Sequence, residues 1–204
     1  TTLFMTAPGA NGAALPNCRS TAMAEAKKPK KKTKRKTVDT VVTFLEMTED
    51  PHHHFHPPAN IKVALIRVEQ PPVHFYRYLY DAVGSSYDWV DRAKLSDEAL
   101  AQDILADGVE IYAAYVGGVP AGFFELDCRD INEVWLAYFG LIADFHGMGL
   151  GKWLLSEAIA TAWAKHPKCL KLETCTLDGP RALPLYQRMG FVPYERKEKT
   201  MELL

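Results

Sequence analysis

The chain has 204 residues, of which 48% are apolar and 24% charged, with a formal net charge of −1. That describes one globular domain with a tail, large enough to fold without disulfides or metals. No apolar run approaches the roughly 18–20 residues of a bilayer span, which excludes a membrane-crossing helix.

Four cysteines, Cys18, Cys128, Cys169 and Cys175, show neither a CxxC pair nor zinc spacing. Their scatter argues for a reducing compartment, and the expected localisation is cytoplasmic. The small net charge hides an asymmetry. From Lys27 to Lys36 the sequence reads KKPKKKTKRK, eight basic residues in ten, whereas Val38 to the end carries 15 basic and 24 acidic residues. An acidic globule therefore follows a basic leader. Residues 1–37 read as disordered, because an Ala/Gly/Asn/Pro/Thr-rich stretch leads into a self-repelling Lys run. No secretory signal is visible, and Met23 in MAEAKKPKKK looks like a natural start. The Lys run is either a solvated tail or a nuclear-localisation or nucleic-acid tether.

Val41–Met47 (VVTFLEM) reads as a first strand. Pro51–Pro58 holds four histidines in five residues, and its prolines mark a mobile loop with no cysteine or carboxylate at ligand spacing. No metal site is expected there. Ile61–Val68 is a strand or a helix lead-in. A helix begins at Pro72 and ends at Gly84 as a C′ glycine, with Phe75, Leu79 and Ala82 on one face. Tyr76, Arg77, Tyr78 and Tyr80 on it cannot all be buried. Ser96 caps a second helix to Asp107, with Leu100, Ile104 and Leu105 as its stripe. VEIYAAYV and PAGFFELD form a hairpin across Gly117-Gly118. Glu133–Ile142 (EVWLAYFGLI) reads as a strand buried on both faces, followed by a glycine turn and a helix with Leu154, Leu155, Ala158, Ile159 and Ala162 in register. Cys169–Leu177 is a strand, Pro180–Met189 a short helix, and Gly190-Phe191 opens a last strand. The result is an α/β or α+β single domain on a mixed sheet, without internal repeats.

The chemistry concentrates in His146-Gly147-Met148-Gly149-Leu150-Gly151-Lys152, between a strand and a helix. Alternating glycines let backbone approach a ligand, the N–H groups of a helix start face an anion, and Lys152 adds a charge. A phosphate or pyrophosphate is the natural guest. A Walker loop fails, because His146 and Trp153 stand where Gly and Ser/Thr are needed. A dinucleotide fingerprint fails as well: the spacing is GxGxG, late in the chain.

On these residues the sequence resembles the GNAT (acyl-CoA-dependent N-acetyltransferase) superfamily, over about Val41 to Leu204. Residues 146–151 match its (Gln/Arg)-x-x-Gly-x-(Gly/Ala) signature with His146 in the Gln/Arg place, and Ala182 to Phe191 matches its Ala-x-x-x-Tyr-x-x-x-Gly-Phe segment. The blocks FYRYLY, AYFGL and TCTLD resemble a bacterial branch of it. The resemblance implies a twisted mixed sheet of about six or seven strands flanked by helices and splayed at the coenzyme site, with the N-acetyltransferase domain at 38–204. It implies that Phe139, Gly140 and Leu141 pair with the pantetheine arm of acetyl-CoA, and that His146 to Lys152 cradle its pyrophosphate. His146 shortens the reach of the usual side chain. Asp178 stands near where relatives carry Asn, an acid ill suited to phosphate.

Acyl transfer to an amine needs a neutral nucleophile, donors for the carbonyl oxygen and a proton for the leaving thiolate. Tyr186 matches the family's proton donor. Glu133, ranked slightly ahead, and Glu125 are the candidate bases, directly or through water, with Tyr138 an outsider. The expected function is a direct, sequential transfer of acetyl from acetyl-CoA, the co-substrate, to a primary amine of a small molecule or amino acid. No covalent cysteine intermediate is expected, since Cys128 and Cys175 lack a visible His partner. Alternatives are a protein or peptide acetyltransferase, an acyl-CoA-binding sensor and a nucleic-acid-tethered module. A homodimer stays open, and no membrane partner is expected.

Overall fold

A computed structural model describes residues 37–203. The expected leader and the reading of Met23 lie outside the described residues, save for Thr37, which already belongs to a strand. The described residues form strands β1 (Thr37–Met47), β2 (Val63–Arg67), β3 (Val109–Val116), β4 (Val119–Asp127), β5 (Glu133–Leu141), β6 (Cys169–Cys175) and β7 (Val192–Glu202). Helices are α1 (Val73–Gly84), α2 (Asp97–Ile104), α3 (Leu150–Trp163) and α4 (Ala182–Arg188). None of the described helices is long and apolar enough to cross a membrane.

The strands make one sheet in the order β2-β3-β4-β5-β6-β1-β7. Only β5 and β6 run parallel; the other pairs are antiparallel. The single parallel step follows from the connection, because α3 carries the chain back to the start of the sheet between β5 and β6. The β3–β4 hairpin turns on Gly117 and Gly118, both at positive φ (58° and 92°), as a two-residue turn that follows strand twist requires.

Two cores lie on opposite faces. One joins Leu45, Phe124, Leu126, Val134, Leu136, Leu170 and Leu172 of the sheet to the inner side of α3 and to Tyr186, Met189 and Phe191. The other packs α1 and α2 on Ile111, Ala113 and Phe123. The buried side of α1 is Tyr76, Leu79, Tyr80 and Val83, not the expected Phe75–Leu79–Ala82 row. Tyr76 and Tyr80 enter the core because each hydroxyl finds a polar partner there. Gly84 is not a left-handed cap either: it ends α1 at φ −87°, and a Cβ on it would stand 2.6 Å from three Trp89 side-chain atoms. Close approach of the indole is what demands glycine. Ser96 caps α2 through Ala99 N–H at 3.2 Å, whereas Leu105, beyond the helix end, is half exposed.

The histidine segment between β1 and β2 is a strap laid along the outer side of α3, rather than a free loop. Phe55 N–H donates to Ser156 Oγ (3.3 Å), the Lys152 ammonium sits 5.7 Å over the Phe55 ring, and Pro58 Cγ lies 3.3 Å from the Cβ position of Gly149. Near the other end of α3 the strap borders a cavity of about 390 Å³ lined by Asp50, His52, His53, His54, Trp163 and His166 among others. Among the described residues, no three His, Cys, Asp or Glu side chains are arranged to hold a metal ion.

Candidate functional site

The site begins with a fault in the sheet. Leu126 pairs with Leu136, but the next residue of β4, Glu125, pairs with Tyr138, so Ala137 is an extra residue in β5. Such a bulge bends its strand. The parallel pairing of β5 with β6 covers only Glu133–Trp135 against Cys169–Lys171. Beyond the bulge β5 follows β4 and leaves β6. The backbone edge of Phe139–Leu141 therefore opens onto a cleft between the two strands. This corrects the expectation of a strand buried on both faces: Val134 and Leu136 are buried, Ala137 is exposed, and Tyr138 to Leu141 are half-buried.

At the open end of that edge the chain passes a short turn (Ala143–Phe145) and reaches the glycines. Gly147 and Gly149 have φ of 76° and 78°, a conformation that side chains resist. A Cβ on Gly147 would meet nothing within 4 Å. Gly149 is the N-cap of α3, no side chain caps that helix, and its first turn holds no acid. The leading N–H groups of α3 thus lack side-chain partners, and Gly147 leaves open space ahead of them, which is what a phosphate oxygen needs. His146 does not point its ring into this turn: Nε2–H donates to Leu141 O at 2.9 Å and ties the turn to the end of β5. Asp178 is likewise engaged locally, accepting from Thr174 Oγ1 (2.6 Å) and Cys175 N–H (2.8 Å).

On the α4 side stands Tyr186, only 8% exposed, its ring edge-on to Phe139 (6.1 Å) and Phe191 (6.2 Å). Its hydroxyl has no hydrogen-bond partner among the described residues, yet no side-chain polar atom there is both buried and unpartnered. The hydroxyl is therefore not sealed inside the core. Burial, reinforced by the charge of Asp178, pushes this phenol well above its ordinary range and keeps it protonated.

The two carboxylates part company. Glu125 is 1% exposed, accepting from Tyr76 Oη (2.6 Å) and Arg92 Nη2 (2.8 Å). Burial pushes its carboxyl up, and the Arg92 charge opposes that rise without cancelling it. Glu133 begins β5, where it accepts from Trp135 Nε1 and Lys171 Nζ, and these bonds hold its carboxyl below the usual range. Phe139 lies six positions further on, roughly 20 Å along the strand. Glu125, by contrast, faces Tyr138 across the β4–β5 ladder.

Sequence reading missed the wall formed by the segment after α1. Trp89 packs 5.3 Å from both Tyr80 and Tyr138 and lies 3.9 Å from the Cβ position of Gly140, which Val83 approaches to 2.3 Å, while Tyr87 lies 3.4 Å from that of Gly179. One short segment thus contacts both β5 and the loop after β6. Arg92, 5.4 Å over Tyr138, links it to Glu125 and Asp103. Gly84, which faces Trp89, and Gly179, which faces Tyr87, were the available signal, but pairing them with these aromatics requires the fold.

The GNAT acetyltransferase family model matches residues 75–191, more than half of the chain. The chain belongs to the GNAT family. Solved structures share its fold at low identity. One is a GCN5-related N-acetyltransferase from Sphaerobacter thermophilus, 17% identical with a TM-score of 0.56 over 80% of this chain and 51% of that one. Another is a tandem GNAT protein from the clavulanic acid biosynthesis pathway, 16% identical with a TM-score of 0.53 over 79% and 53%. A third is an aminoglycoside N-acetyltransferase, AAC(6′)-Iy, in complex with CoA, 20% identical with a TM-score of 0.50 over 68% and 93%. The chain spans between 51% and 65% of the length of five such structures.

Proposed function

We propose that the domain at 38–204 is a cytoplasmic N-acetyltransferase that moves acetyl from acetyl-CoA directly to the primary amine of a small molecule or amino acid. The observation that carries this reading is the meeting of three features on one cleft. These are the edge of β5 at Phe139–Leu141 that β6 leaves, the start of α3 behind Gly147 and Gly149, which no side chain caps, and Tyr186, whose ring packs edge-on to Phe139. Bound acetyl-CoA supplies the activated acyl group as a thioester.

The remaining roles fall to this chain's own groups. The main chain of Phe139, Gly140 and Leu141, the Leu141 carbonyl excepted because His146 holds it, offers strand-like bonds to an extended ligand arm and an N–H toward a carbonyl oxygen as charge builds. The N–H groups at the start of α3, with Lys152 beside them, hold phosphate. Tyr186 Oη holds a proton at the place where a thiolate leaves. Glu125, behind Tyr138, draws the acceptor's proton through water, and its bonds from Arg92 and Tyr76 hold it in place. The aromatic wall of Trp89, Tyr80 and Tyr138 bounds the acceptor side and favours a small amine over a protein surface.

Calorimetric titration with acetyl-CoA and thiol-release assays on an amine panel test the reading. Wild type should bind acetyl-CoA. Gly147→Asp, which puts a carboxylate in the phosphate cradle, should fold and lose binding. Tyr186→Phe should keep its affinity and lose about a hundredfold in kcat. Undiminished binding by Gly147→Asp would remove the cradle, and undiminished kcat in Tyr186→Phe would remove the acid.

A further inference from the structure

We infer that the strap between β1 and β2 is part of the coenzyme site, with His56 contacting the 3′-phosphate of the coenzyme's adenosine end. The inference rests on the acetyl-CoA reading above. Phe55 is fixed to α3 by Ser156 and lies under the Lys152 ammonium, and Pro58 abuts Gly149, the N-cap of α3. His56 falls between these two anchors, so the backbone holds it beside the start of α3, and its side chain is exposed.

A coenzyme whose pantetheine arm follows β5 inward and whose pyrophosphate rests on the start of α3 must send its adenosine end outward. The strap is the segment that abuts this phosphate end, through Pro58 against Gly149. The adenosine carries one more phosphate, on the 3′-oxygen, and the imidazole N–H of His56 is a donor for it. Phe55 contributes by holding the Lys152 ammonium at the rim through a cation–π contact. The histidines thus divide. His52, His53 and His54 line the cavity near the far end of α3. His56 belongs to the phosphate end.

The test compares coenzyme A with 3′-dephospho-coenzyme A by calorimetry in wild type, His56→Ala and His53→Ala. Wild type should prefer coenzyme A. His56→Ala should bind coenzyme A about tenfold more weakly, with unchanged affinity for the dephospho form, so the preference collapses. His53→Ala should match wild type. An unchanged preference in His56→Ala overturns the inference, as does an equal loss in His53→Ala, which would make the effect one of strap folding. If wild type binds neither coenzyme, the acetyl-CoA reading itself fails. If it binds both equally, only the 3′-phosphate contact does.

Discussion

Replacing Arg92 with Met isolates the charge balance behind the cleft. Arg92 is 13% exposed in its side chain and Glu125 1%, so the variant strands a carboxylate in the α1–α2 core. Removing one partner of a buried pair costs about 3–5 kcal/mol. Tyr76 still donates to Glu125, which favours the lower end. The lost Asp103 contact adds little, because Asp103 is 48% exposed and such pairs are worth about 0–1 kcal/mol. At roughly 2–4 °C per kcal/mol for a domain of this size, Tm at pH 8 should fall by about 6–12 °C.

The loss must depend on pH. Burial already raises the Glu125 carboxyl, and without the Arg92 charge it rises further. A group whose pKa is higher folded than unfolded binds more protons in the native state, so stability falls as pH rises through the window between those values. Arg92→Met should therefore be closer to wild type at pH 5 than at pH 8. Adding Glu125→Leu should recover most of the loss and flatten the pH response. Thermal and urea melts at the two pH values measure this. A variant within 1 kcal/mol of wild type at pH 8, or one less stable in acid than in base relative to wild type, would refute the reasoning.

Gly84→Ala would gain about 1 kcal/mol of helix propensity if Gly84 merely ended a helix. Here Trp89 stands 2.6 Å from the Cβ position of Gly84 and is packed behind by Tyr80 and Tyr138, so the added methyl should cost a net 1–2 kcal/mol or so in urea melts. A more stable variant would contradict that packing. Glu133→Gln should leave kcat within about twofold and, given a side chain 35% exposed, cost about 0.5 kcal/mol or less. That small contribution should disappear in acid, because a carboxyl held low by Lys171 stabilises only while ionised. A large fall in kcat would return Glu133 to the catalytic candidates.

Local pattern was enough for the elements whose cause is local. Gly117-Gly118 specifies its hairpin, Ser96 its cap, and the Leu154–Ala162 row its buried helix face, and each stands where composition placed it. The glycine turn was legible for the same reason, since φ near +77° is a property of the residue. Local pattern says least where a distant group decides. Tyr76 outranks Phe75 for the core because Glu125, 49 residues away, accepts a hydrogen bond from its hydroxyl. His146 turns back to Leu141, and Glu133 is claimed by Lys171 across the sheet. The bulge at Ala137 leaves no mark in the strand's composition, although it opens the cleft.

Strand β1 lies between β6 and β7, so the first strand of the domain to be synthesised is interior to the finished sheet. Thr40 meets Thr176 across 136 residues of chain. At 5–20 residues per second, a ribosome needs roughly 7–27 s to supply that partner, and longer for β7. Throughout that interval a β-prone segment, VVTFLEM, waits without its ladder. Its hold on the fold is correspondingly late, and a nascent chain stalled before β6 would carry it as an open template for aggregation. The eight basic residues of Lys27–Lys36, just ahead of it in sequence, set like charges beside that template on every copy.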